Sequence, residues 1–373
     1  MPVLALTVIL SGLVYMLMIL YFYSGWRKLK DFTVKNEKFT TTVSLIIPVR
    51  NEEQNIPGLI RGIREQDYPG RLLEVIFIDD HSDDRSFELI SNHISGIENF
   101  HLIRSAGSGK KMALQTGFEK ATGDLIITTD ADCHHSSRWI SVFAGFYEKY
   151  HPKLMTGPVL LESNNNFFQR LQQIEFLSLT ASTAGAFGAG HPIMCNGANL
   201  AFDRNAIRQQ KDIMQTQYTS GDDIFLMHRI KQLWPGELFY IKSNDAVVTT
   251  GGQPDFSSFF QQRIRWASKS RGYTDIDTII TGMVVLLINF LFLWTLAGTF
   301  FEPVMFSFFI FLYIIKTLPD LLLVTTVSSF FRSKKNLWLF PLAQLIYPIY
   351  AVFTALASLT GNHSWKGRKY QML

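Results

Sequence analysis

The sequence predicts an α/β fold with a mostly parallel sheet, flanked by transmembrane helices. Three observations support this prediction. Long uncharged apolar stretches lie near both ends of the 373-residue chain. Between them, short apolar runs alternate with helical patterns. Polar and charged residues follow each apolar run directly, as is typical of parallel sheets that bind ligands beyond their carboxyl ends.

Several apolar stretches are long enough to cross a bilayer, which takes about 20 residues of helix. Three of them are free of charged side chains apart from His363, namely residues 1–26, 278–301 and 336–365. A fourth, residues 303–331, is interrupted by Lys316, Pro319 and Asp320. We therefore expect an N-terminal anchor over 1–26 and two or three C-terminal spans over 278–360. The alternative for each stretch is a buried core helix.

The flanking residues predict where the protein lies. The N-terminal stretch lacks the basic start and small-residue cleavage site of a signal peptide, which favours an uncleaved anchor. Arg27, Lys28 and Lys30 follow it, so the positive-inside rule predicts a cytoplasmic central domain. The two cysteines, Cys133 and Cys195, suit a reducing compartment. We expect an integral protein of the bacterial inner membrane.

The charge balance argues against a nucleic-acid partner. The 35 Lys and Arg residues exceed the 31 Asp and Glu residues by only 4. The basic residues flank the apolar stretches, and no nucleic-acid-binding motif is present. The lipid bilayer is therefore the expected partner of these charges.

The central domain, residues 40–255, has the alternating pattern of a parallel sheet. Apolar runs predict strands over 43–49, 73–80 and 124–130, with helices around 55–66, 83–95 and 109–121 between them. The segments "RNEE", "DDHSDD" and "DADC" follow the three strands. Because carboxyl ends of parallel strands share an edge, these polar residues should converge there.

Asp130 and Asp132 stand one residue apart after the third strand. In extended backbone their side chains would point the same way, and their repulsion would need compensation. Mg²⁺ or Mn²⁺ bound to a diphosphate would provide it. The alternative is the start of a helix, since Ser136 and Ser137 follow.

Two further segments carry charged candidates. "GSGKKMALQTG" (107–117) is not a Walker motif, because Arg104 and Lys111 stand at required positions, but Lys110 could still reach a phosphate or be solvated. In "SGDDIFLMHRI" (220–230), Asp222 and Asp223 favour a helix N-terminus, or one of them is a general base.

The stretch "QQRIRW" (261–266) places three useful side chains on one helical face. Gln262, Arg265 and Trp266 lie at i, i+3 and i+4, offering an amide, a guanidinium suited to phosphate and an aromatic surface. The alternative is an amphipathic helix over 256–273 that inserts Phe259, Phe260 and Trp266 into the membrane surface.

In this order, the motifs resemble those of the membrane-bound family 2 glycosyltransferases with a GT-A fold, over residues 43 to 273. The resemblance implies that "DAD" binds the metal and diphosphate through Asp130 and Asp132. Lys110 would lie near the nucleotide, since "GKKMAL" is similar to the family's "GK..AL" element. The residues implied to hold the nucleoside are Pro48, Asn51, Glu52, Asp79 and Asp80.

The same resemblance assigns the remaining residues. "GDDIFLMHRI" is similar to the family's "TED..L..RL" element, which makes Asp223 the candidate base; Asp222 replaces the usual Glu. "QRIRW" matches QxxRW, so Gln262, Arg265 and Trp266 would contact the donor. "NGANLAF" (196–202) resembles an acceptor-side strand, and the residues implied to line that pocket are Gly197, Ala198 and Asn199.

The resemblance implies an inverting glycosyltransferase that uses a nucleotide-diphosphate sugar, of which UDP-sugars are the family's commonest, with Mg²⁺ or Mn²⁺. We favour a membrane-lipid hydroxyl as acceptor, because three C-terminal helices at most are few for a polymer channel. The ending "WKGRKY" (365–370), within the basic tail 361–373, also looks like that of lipid-glycosylating members. The alternative is a polysaccharide synthase. An inactive scaffold and a nucleotidyltransferase are weaker alternatives.

Two features of the C-terminal part leave alternatives open. Basic residues at 332–335 and 366–369 both favour the cytoplasm, so either the run 337–360 is re-entrant or the tail breaks the rule. Lys316 and Asp320, one helical turn apart, either pair within the membrane or bind a lipid headgroup.

Overall fold

The structure is a computed structural model that describes residues 2–35, 38–162, 166–208, 221–358, 362–365 and 368–371. Five residues of the predicted basic tail (361, 366, 367, 372 and 373) lie outside the described residues. The helices are α1 (Pro2–Lys28), α2 (Ile56–Arg64), α3 (Ser86–Ile94), α4 (Lys110–Lys120), α5 (Trp139–Tyr150), α6 (Phe167–Gly188), α7 (Arg204–Arg208), α8 (Asp222–Leu233), α9 (Phe256–Ser268), α10 (Ile276–Gly298), α11 (Pro303–Phe330) and α12 (Phe340–Ala357). The strands are β1 (Val43–Val49), β2 (Leu73–Asp79), β3 (Phe100–Arg104), β4 (Leu125–Thr128), β5 (His134–His135), β6 (Leu154–Thr156), β7 (Val159–Leu161), β8 (Leu200–Asp203), β9 (Leu238–Tyr240), β10 (Val248–Thr250), β11 (Asn362–Trp365) and β12 (Arg368–Gln371).

A mostly parallel sheet forms the core of the central domain. Its order is β3-β2-β1-β4-β8-β6-β9. Every pairing is parallel except those that β8 makes with β4 and β6. Strands β1, β2 and β4 are buried almost throughout, because helices cover both faces of the sheet. The predicted fold class is confirmed.

The reversed strand β8 matters for the site. It runs against its neighbours, so the turn before it, Gly197–Asn199, lies at the edge where β1, β2 and β4 end. A small second sheet, β5-β10-β7, brings Thr250 of β10 to Asp132, and its hydroxyl donates to the Asp132 carboxylate over 3.2 Å. Loops from both sheets therefore converge on one edge.

Four helices are long and apolar enough to cross a membrane: α1, α10, α11 and the segment Leu337–Ala357 that contains α12. Helix α1 packs very closely on α6 of the central domain. A Cβ atom added at Gly25 would lie 2.0 Å from the carbonyl oxygen of Gly185, so only glycine permits this approach. The central domain thus contacts the N-terminal apolar helix through close backbone packing between α1 and α6.

Both ends of the α12 segment contact helices outside the apolar group, namely α6 and α9. Asn336, just before it, donates to the side chain of Gln173 on α6 over 2.5 Å. Tyr350 and Phe353 pack on Phe259 and Phe260 of α9, with ring centroids 5.3 and 5.5 Å apart. The chain then continues into β11, which also contacts α9. These contacts join both ends of the α12 segment to the domain that carries the sheet.

Candidate active site

The loops after β1 and β2 are locked together by a buried arginine. Arg50 donates from Nη1 to the carbonyl oxygens of Asp80 and His81, at 2.8 and 2.6 Å, and from Nη2 to Asp83 at 2.9 Å. Asn51 and His81 adopt left-handed backbone conformations, with φ of 52° and 53°. The sequence argument missed Arg50, although it adjoins Asn51 within "RNEE".

Asp79 and Asp80 line this edge from below. Both are buried. Asp79 Oδ1 accepts from the Ser82 amide at 3.2 Å, whereas Asp79 Oδ2 is buried without a hydrogen-bond partner. A buried acceptor of this kind is expected to meet a donor from a ligand or from ordered water. Asp80 Oδ1 accepts from the amide of Gly109 at 2.8 Å.

The other two residues implied for the nucleoside lie beside them. Pro48 is half-buried in β1, opposite Ile78 of β2. The Glu52 amide donates to Ser86 Oγ at 2.7 Å, and its carboxylate accepts from Asn55 at 2.6 Å. All five predicted nucleoside residues therefore lie on the strands or loops at the carboxyl edge of β1 and β2.

Gly109 leads from this edge to Lys110, the first residue of α4. Its φ of 98° is a conformation that favours glycine. Lys110 Nζ lies 2.5 Å from Asp130 Oδ1 and 4.0 Å from Asp222 Oδ2. Burial opposes the charged ammonium, but Asp130 and Asp222 outweigh it and raise the pKa of Lys110. Lys110 is therefore a half-buried cation shared by two carboxylates.

Asp222 and Asp223 open helix α8, as the helix-start alternative predicted. Burial and the neighbouring Asp223 raise the pKa of Asp222, against the opposing effect of Lys110. Burial also disfavours ionisation of Asp223. Lys269, Lys110 and the amides of Ile224 and Gly197 reverse that effect and lower the pKa of Asp223. The two carboxyls are thus set apart in acidity, which suits different roles.

Lys269 is a second residue that the sequence argument missed. It begins the 3₁₀ turn Lys269–Gly272 after α9, and its Nζ lies 3.4 Å from Asp223 Oδ1. Burial opposes its charge, but Asp223 raises the pKa of Lys269. Its position four residues after Arg265 placed it on the face of the QxxRW motif, but nothing in the sequence indicated its contact with Asp223.

Gly197 closes this group, which we call the Lys–Asp cluster: Lys110, Lys269, Asp130, Asp222 and Asp223. The Gly197 amide donates to Asp223 Oδ2 at 3.3 Å. A Cβ atom at Gly197 would lie 3.4 Å from Asp222 Oδ2 and 3.8 Å from Lys110 Nζ, so this residue adjoins the cluster. Ala198 is buried behind it, with its amide donating to Asn196 Oδ1 at 3.0 Å.

The structure contradicts a pocket-lining role for the Asn199 side chain. Asn199 is fully buried. Its Oδ1 accepts from Trp139 Nε1 at 2.9 Å, and its Nδ2 donates to the carbonyls of Pro158 and Ala246, both at 2.8 Å. With every polar atom engaged inside the fold, Asn199 holds the turn in place from behind.

The extended geometry expected for Asp130 and Asp132 was wrong. Strand β4 ends at Thr128, and Ala131 and Asp132 form a turn in which the Cys133 amide donates to the Asp130 carbonyl at 3.3 Å. The helix-start alternative fails too, because β5 separates both residues from α5. Asp130 faces Lys110, and Asp132 faces Thr250.

A cation at this turn would need ligands from its substrate. Within the described ranges, no group of three or more His, Cys, Asp or Glu side chains is arranged to hold a metal ion. Mg²⁺ is commonly held by one or two carboxylates together with substrate phosphates. Asp130 and Asp132 fit that donor set, with Lys110 adjacent to balance phosphate charge.

The QxxRW helix, α9, is positioned by the residue inside the motif. Arg263 is buried, forms a two-pronged ion pair with Glu175 of α6, and lies 4.2 Å from the ring of Trp266. Gln262, Arg265 and Trp266 are half-buried, and Gln262 accepts from Arg263. Arg265 opposes the charge of Lys269, so its guanidinium lies near the Lys–Asp cluster.

The structure does not favour the alternative in which α9 inserts Phe259, Phe260 and Trp266 into the membrane surface. Phe259 is 5% exposed and packs on Phe168 and Tyr350. Phe260 packs on Phe353, and Trp266 on Phe176. These rings contact protein, which makes α9 a bridge between the central domain and α12.

Part of the chain matches a known protein family. Residues 44–210 match the sequence description of glycosyl transferase family 2. The chain therefore contains a family 2 glycosyltransferase domain, as its motifs predicted. The matched region includes the five residues predicted to hold a nucleoside, together with Lys110, Asp130, Asp132 and Gly197. It ends before Asp222, Asp223 and the QxxRW helix.

Named relatives are similar over a limited region. An undecaprenyl-phosphate 4-deoxy-4-formamido-L-arabinose transferase of Pectobacterium atrosepticum is 33% identical over 133 residues, which are 35% of this chain and 40% of that protein. The protein of the same name from Pectobacterium carotovorum is 42% identical over 133 residues, with the same coverage. The chain thus spans about two fifths of the length of these relatives.

A solved structure resembles nearly the whole chain. It is a mannosyltransferase of Pyrobaculum calidifontis in complex with GDP-Man and Mn²⁺, with a TM-score of 0.57 and 17% identity, covering 95% of this chain and 99% of that one. At this identity the similarity shows the fold alone. It agrees with the GT-A-like sheet. The four long apolar helices point separately to a membrane protein.

Proposed function

We propose that this protein is an inverting glycosyltransferase that moves a sugar from a nucleotide-diphosphate sugar to a membrane lipid. The observation that carries the proposal is the Lys–Asp cluster. It lies at the carboxyl edge of a family 2 sheet. The same edge carries Asp79, whose buried Oδ2 lacks a hydrogen-bond partner. A diphosphate would contact Lys110 and Arg265. The carboxylate of the same cluster that acts as the catalytic base would face the acceptor.

Asp223 is the proposed base. Its low pKa keeps it ionised at neutral pH, and Gly197 and Lys269 orient its two oxygens. Asp223 takes the proton from an acceptor hydroxyl, whose oxygen attacks the anomeric carbon as the bond to the diphosphate breaks. The diphosphate leaves with the bonding electrons. Lys110 and Arg265 balance its negative charge.

Asp130 and Asp132 are the proposed metal-binding residues. Mg²⁺ or Mn²⁺ would supply charge stabilisation on the diphosphate when bound. Crystallisation of the Pyrobaculum calidifontis mannosyltransferase with Mn²⁺ supports a divalent ion. Its donor is GDP-Man, whereas UDP-sugars are the commonest donors of the family, so the nucleotide is part of the test.

The acceptor class is supported by two independent observations. The relatives carry the name of undecaprenyl-phosphate transferases, which indicates a lipid acceptor. Helix α9 carries the QxxRW motif and packs on the apolar helix α12, so the motif adjoins a helix that a lipid acceptor would contact. A polysaccharide synthase is not favoured, because the named relatives transfer to lipids. A cytoplasmic active site follows from the basic residues after α1.

The chemistry of the acceptor decides what Asp223 must do. A lipid hydroxyl has to lose its proton during attack, so a base is needed. A lipid monophosphate already carries an ionised oxygen near neutral pH, because its second pKa lies at about 6. The requirement for Asp223 therefore distinguishes the two acceptor classes.

The test is a transfer assay with the full-length protein in detergent. Labelled UDP-, GDP- and other nucleotide sugars are each incubated with hydroxyl lipids or with polyprenyl phosphate, with Mn²⁺, with Mg²⁺ or with EDTA. Metal-dependent label in the lipid phase supports the proposal and names the donor and acceptor. Label in an insoluble polymer would establish the synthase instead. Absence of transfer from every donor to every lipid overturns the proposal.

A further inference from the structure

Six exposed cations surround the ends of two apolar helices on the catalytic side. Three follow or end α1, and three follow α11. We call this group the basic collar: Arg27, Lys28, Lys30, Arg332, Lys334 and Lys335.

Aromatic packing brings the two sets of cations together. The ring of Trp26, the residue before Arg27, lies 5.6 Å from Phe330 and 5.9 Å from Phe331, measured between centroids. Trp26 and Phe331 are 2% and 7% exposed. Since these rings immediately precede the cations, their packing places two positive segments side by side.

The second half of the collar is held at both ends, unlike an ordinary solvated loop. Phe331 is buried on one side, and the Ser333 amide donates to the Ser328 carbonyl at 2.9 Å. On the other side, Asn336 is 8% exposed and bonds to Gln173 of α6. The cations between these anchors are presented in a defined arrangement.

Arg332 occupies a position that favours glycine. It ends α11 in a left-handed conformation with φ of 55°, and the helix closes through the bonds of Ser333 and Arg332 to Ser328 and Ser329. A non-glycine residue is strained there. A cation kept at a strained position is an observation that points to a role for its charge.

The collar's positive charge is not cancelled by the protein. Within the described residues, none of the six cations forms an ion pair. The nearest acidic side chain in sequence, Asp31, is taken by Lys242, whose Nζ lies 3.0 Å from it and 4.4 Å from the Trp26 ring. The uncompensated charge therefore calls for an external anion.

We propose that the basic collar binds the phosphate headgroups of anionic phospholipids in the adjoining leaflet. The collar lies at the ends of helices α1 and α11, where headgroups are found, and exposed Trp338 follows it, as is typical of the bilayer interface. Clusters of Lys and Arg next to apolar helices bind anionic lipids by electrostatic attraction. This role does not depend on the transfer reaction.

The test measures lipid binding to the full-length protein by native mass spectrometry in detergent. Phosphatidylglycerol or phosphatidylcholine is titrated into the wild type and into the triple variant R332Q/K334Q/K335Q. The matched control R61Q/R64Q/R71Q removes three exposed cations from the catalytic surface. We expect the collar variant to bind phosphatidylglycerol about tenfold more weakly than the wild type does. The control variant should bind phosphatidylglycerol as the wild type does, and phosphatidylcholine binding should be the same for all three proteins.

A single variant separates charge from folding. Arg332→Gly relieves the backbone strain, so it should keep or raise the melting temperature while weakening phosphatidylglycerol binding. Equal phosphatidylglycerol binding by the wild type and the triple variant would overturn the proposal. So would equal losses in the matched control, or displacement of the lipid by inorganic phosphate at a similar concentration.

Discussion

Two groups of lysine and aspartate side chains in this molecule differ in exposure and in charge balance. The Lys–Asp cluster holds three carboxylates and two ammonium groups, so its charges do not balance, and its members keep partial exposure. The membrane cluster (Tyr15, Lys316, Asp320 and Gln344) holds one charge of each sign. Tyr15 donates to Asp320 at 2.9 Å, Gln344 donates to it at 2.7 Å, and Lys316 donates to Gln344.

The difference indicates which group is built for a ligand. In the membrane cluster, Lys316 and Asp320 lie 4.0 Å apart and neutral side chains fill the remaining hydrogen-bonding positions. This arrangement favours structural pairing over headgroup binding. The Lys–Asp cluster has an excess of negative charge and adjoins Gly197, which has no side chain. Asp79 Oδ2, at the same edge of the sheet, is buried without a hydrogen-bond partner. These features suit the binding of a metal ion, a diphosphate and an acceptor hydroxyl.

The sharpest way to break this comparison is Asp223→Asn. If Asp223 is the base, kcat should fall by about 10²- to 10⁴-fold, while nucleotide affinity stays near wild type. Steady-state kinetics and calorimetric nucleotide titration would measure both. Asp67→Asn, an exposed substitution of the same kind, serves as control. Transfer to a hydroxyl lipid at a near-normal rate would remove Asp223 from that role.

The membrane cluster should respond in stability rather than in turnover. Lys316→Met leaves the Asp320 carboxylate buried without its cation, so the free energy of unfolding should drop by about 3–5 kcal/mol. The double variant Lys316→Met with Asp320→Leu should recover most of that loss. Unfolding in mixed micelles and kcat of the folded fraction are the readouts. Lost turnover at unchanged stability would instead support headgroup binding.

Lys110→Met should weaken diphosphate binding. Because hydrogen bonds to charged groups contribute about 1.5–3 kcal/mol, nucleotide diphosphate affinity should fall about 10- to 100-fold. Affinity for the free nucleoside should not change, since the residues predicted to hold the nucleoside lie at the ends of β1 and β2 and in the loops after them. Lys110→Arg keeps the charge and should retain part of the affinity. Equal losses for nucleoside and diphosphate would indicate a collapsed site.

The smallest predicted effect is a shift of the pH profile. Lys269 helps to lower the pKa of Asp223, which must be ionised to accept a proton. Lys269→Met should raise that pKa, so activity is lost at a higher pH than in the wild type as the solution is acidified. The acidic limb of kcat/KM should move upward by about one pH unit. An unmoved limb with reduced kcat would assign Lys269 a purely structural role.

Much of the fold followed from local patterns. The strands β1 and β2 and the helices between them match the predicted positions within a few residues, because continuous apolar runs and intervening helical patterns are local signals. The end of β4 was misjudged, since β-branched Thr129 extends the run of Ile and Thr residues although the strand ends at Thr128, two residues before the turn at Ala131 and Asp132.

The sequence by itself determined the apolar helices, the parallel sheet and the residue types available for chemistry, because periodicity, charge and motif order are properties of neighbouring residues. Tertiary structure alone decided which charges meet. Lys269 reaches Asp223 across 46 positions, and Asn199 turns inward to Trp139 across 60. Such contacts depend on how strands and helices pack in three dimensions. Because β8 runs antiparallel to β4, the turn before it places Gly197 at the cluster and buries Asn199.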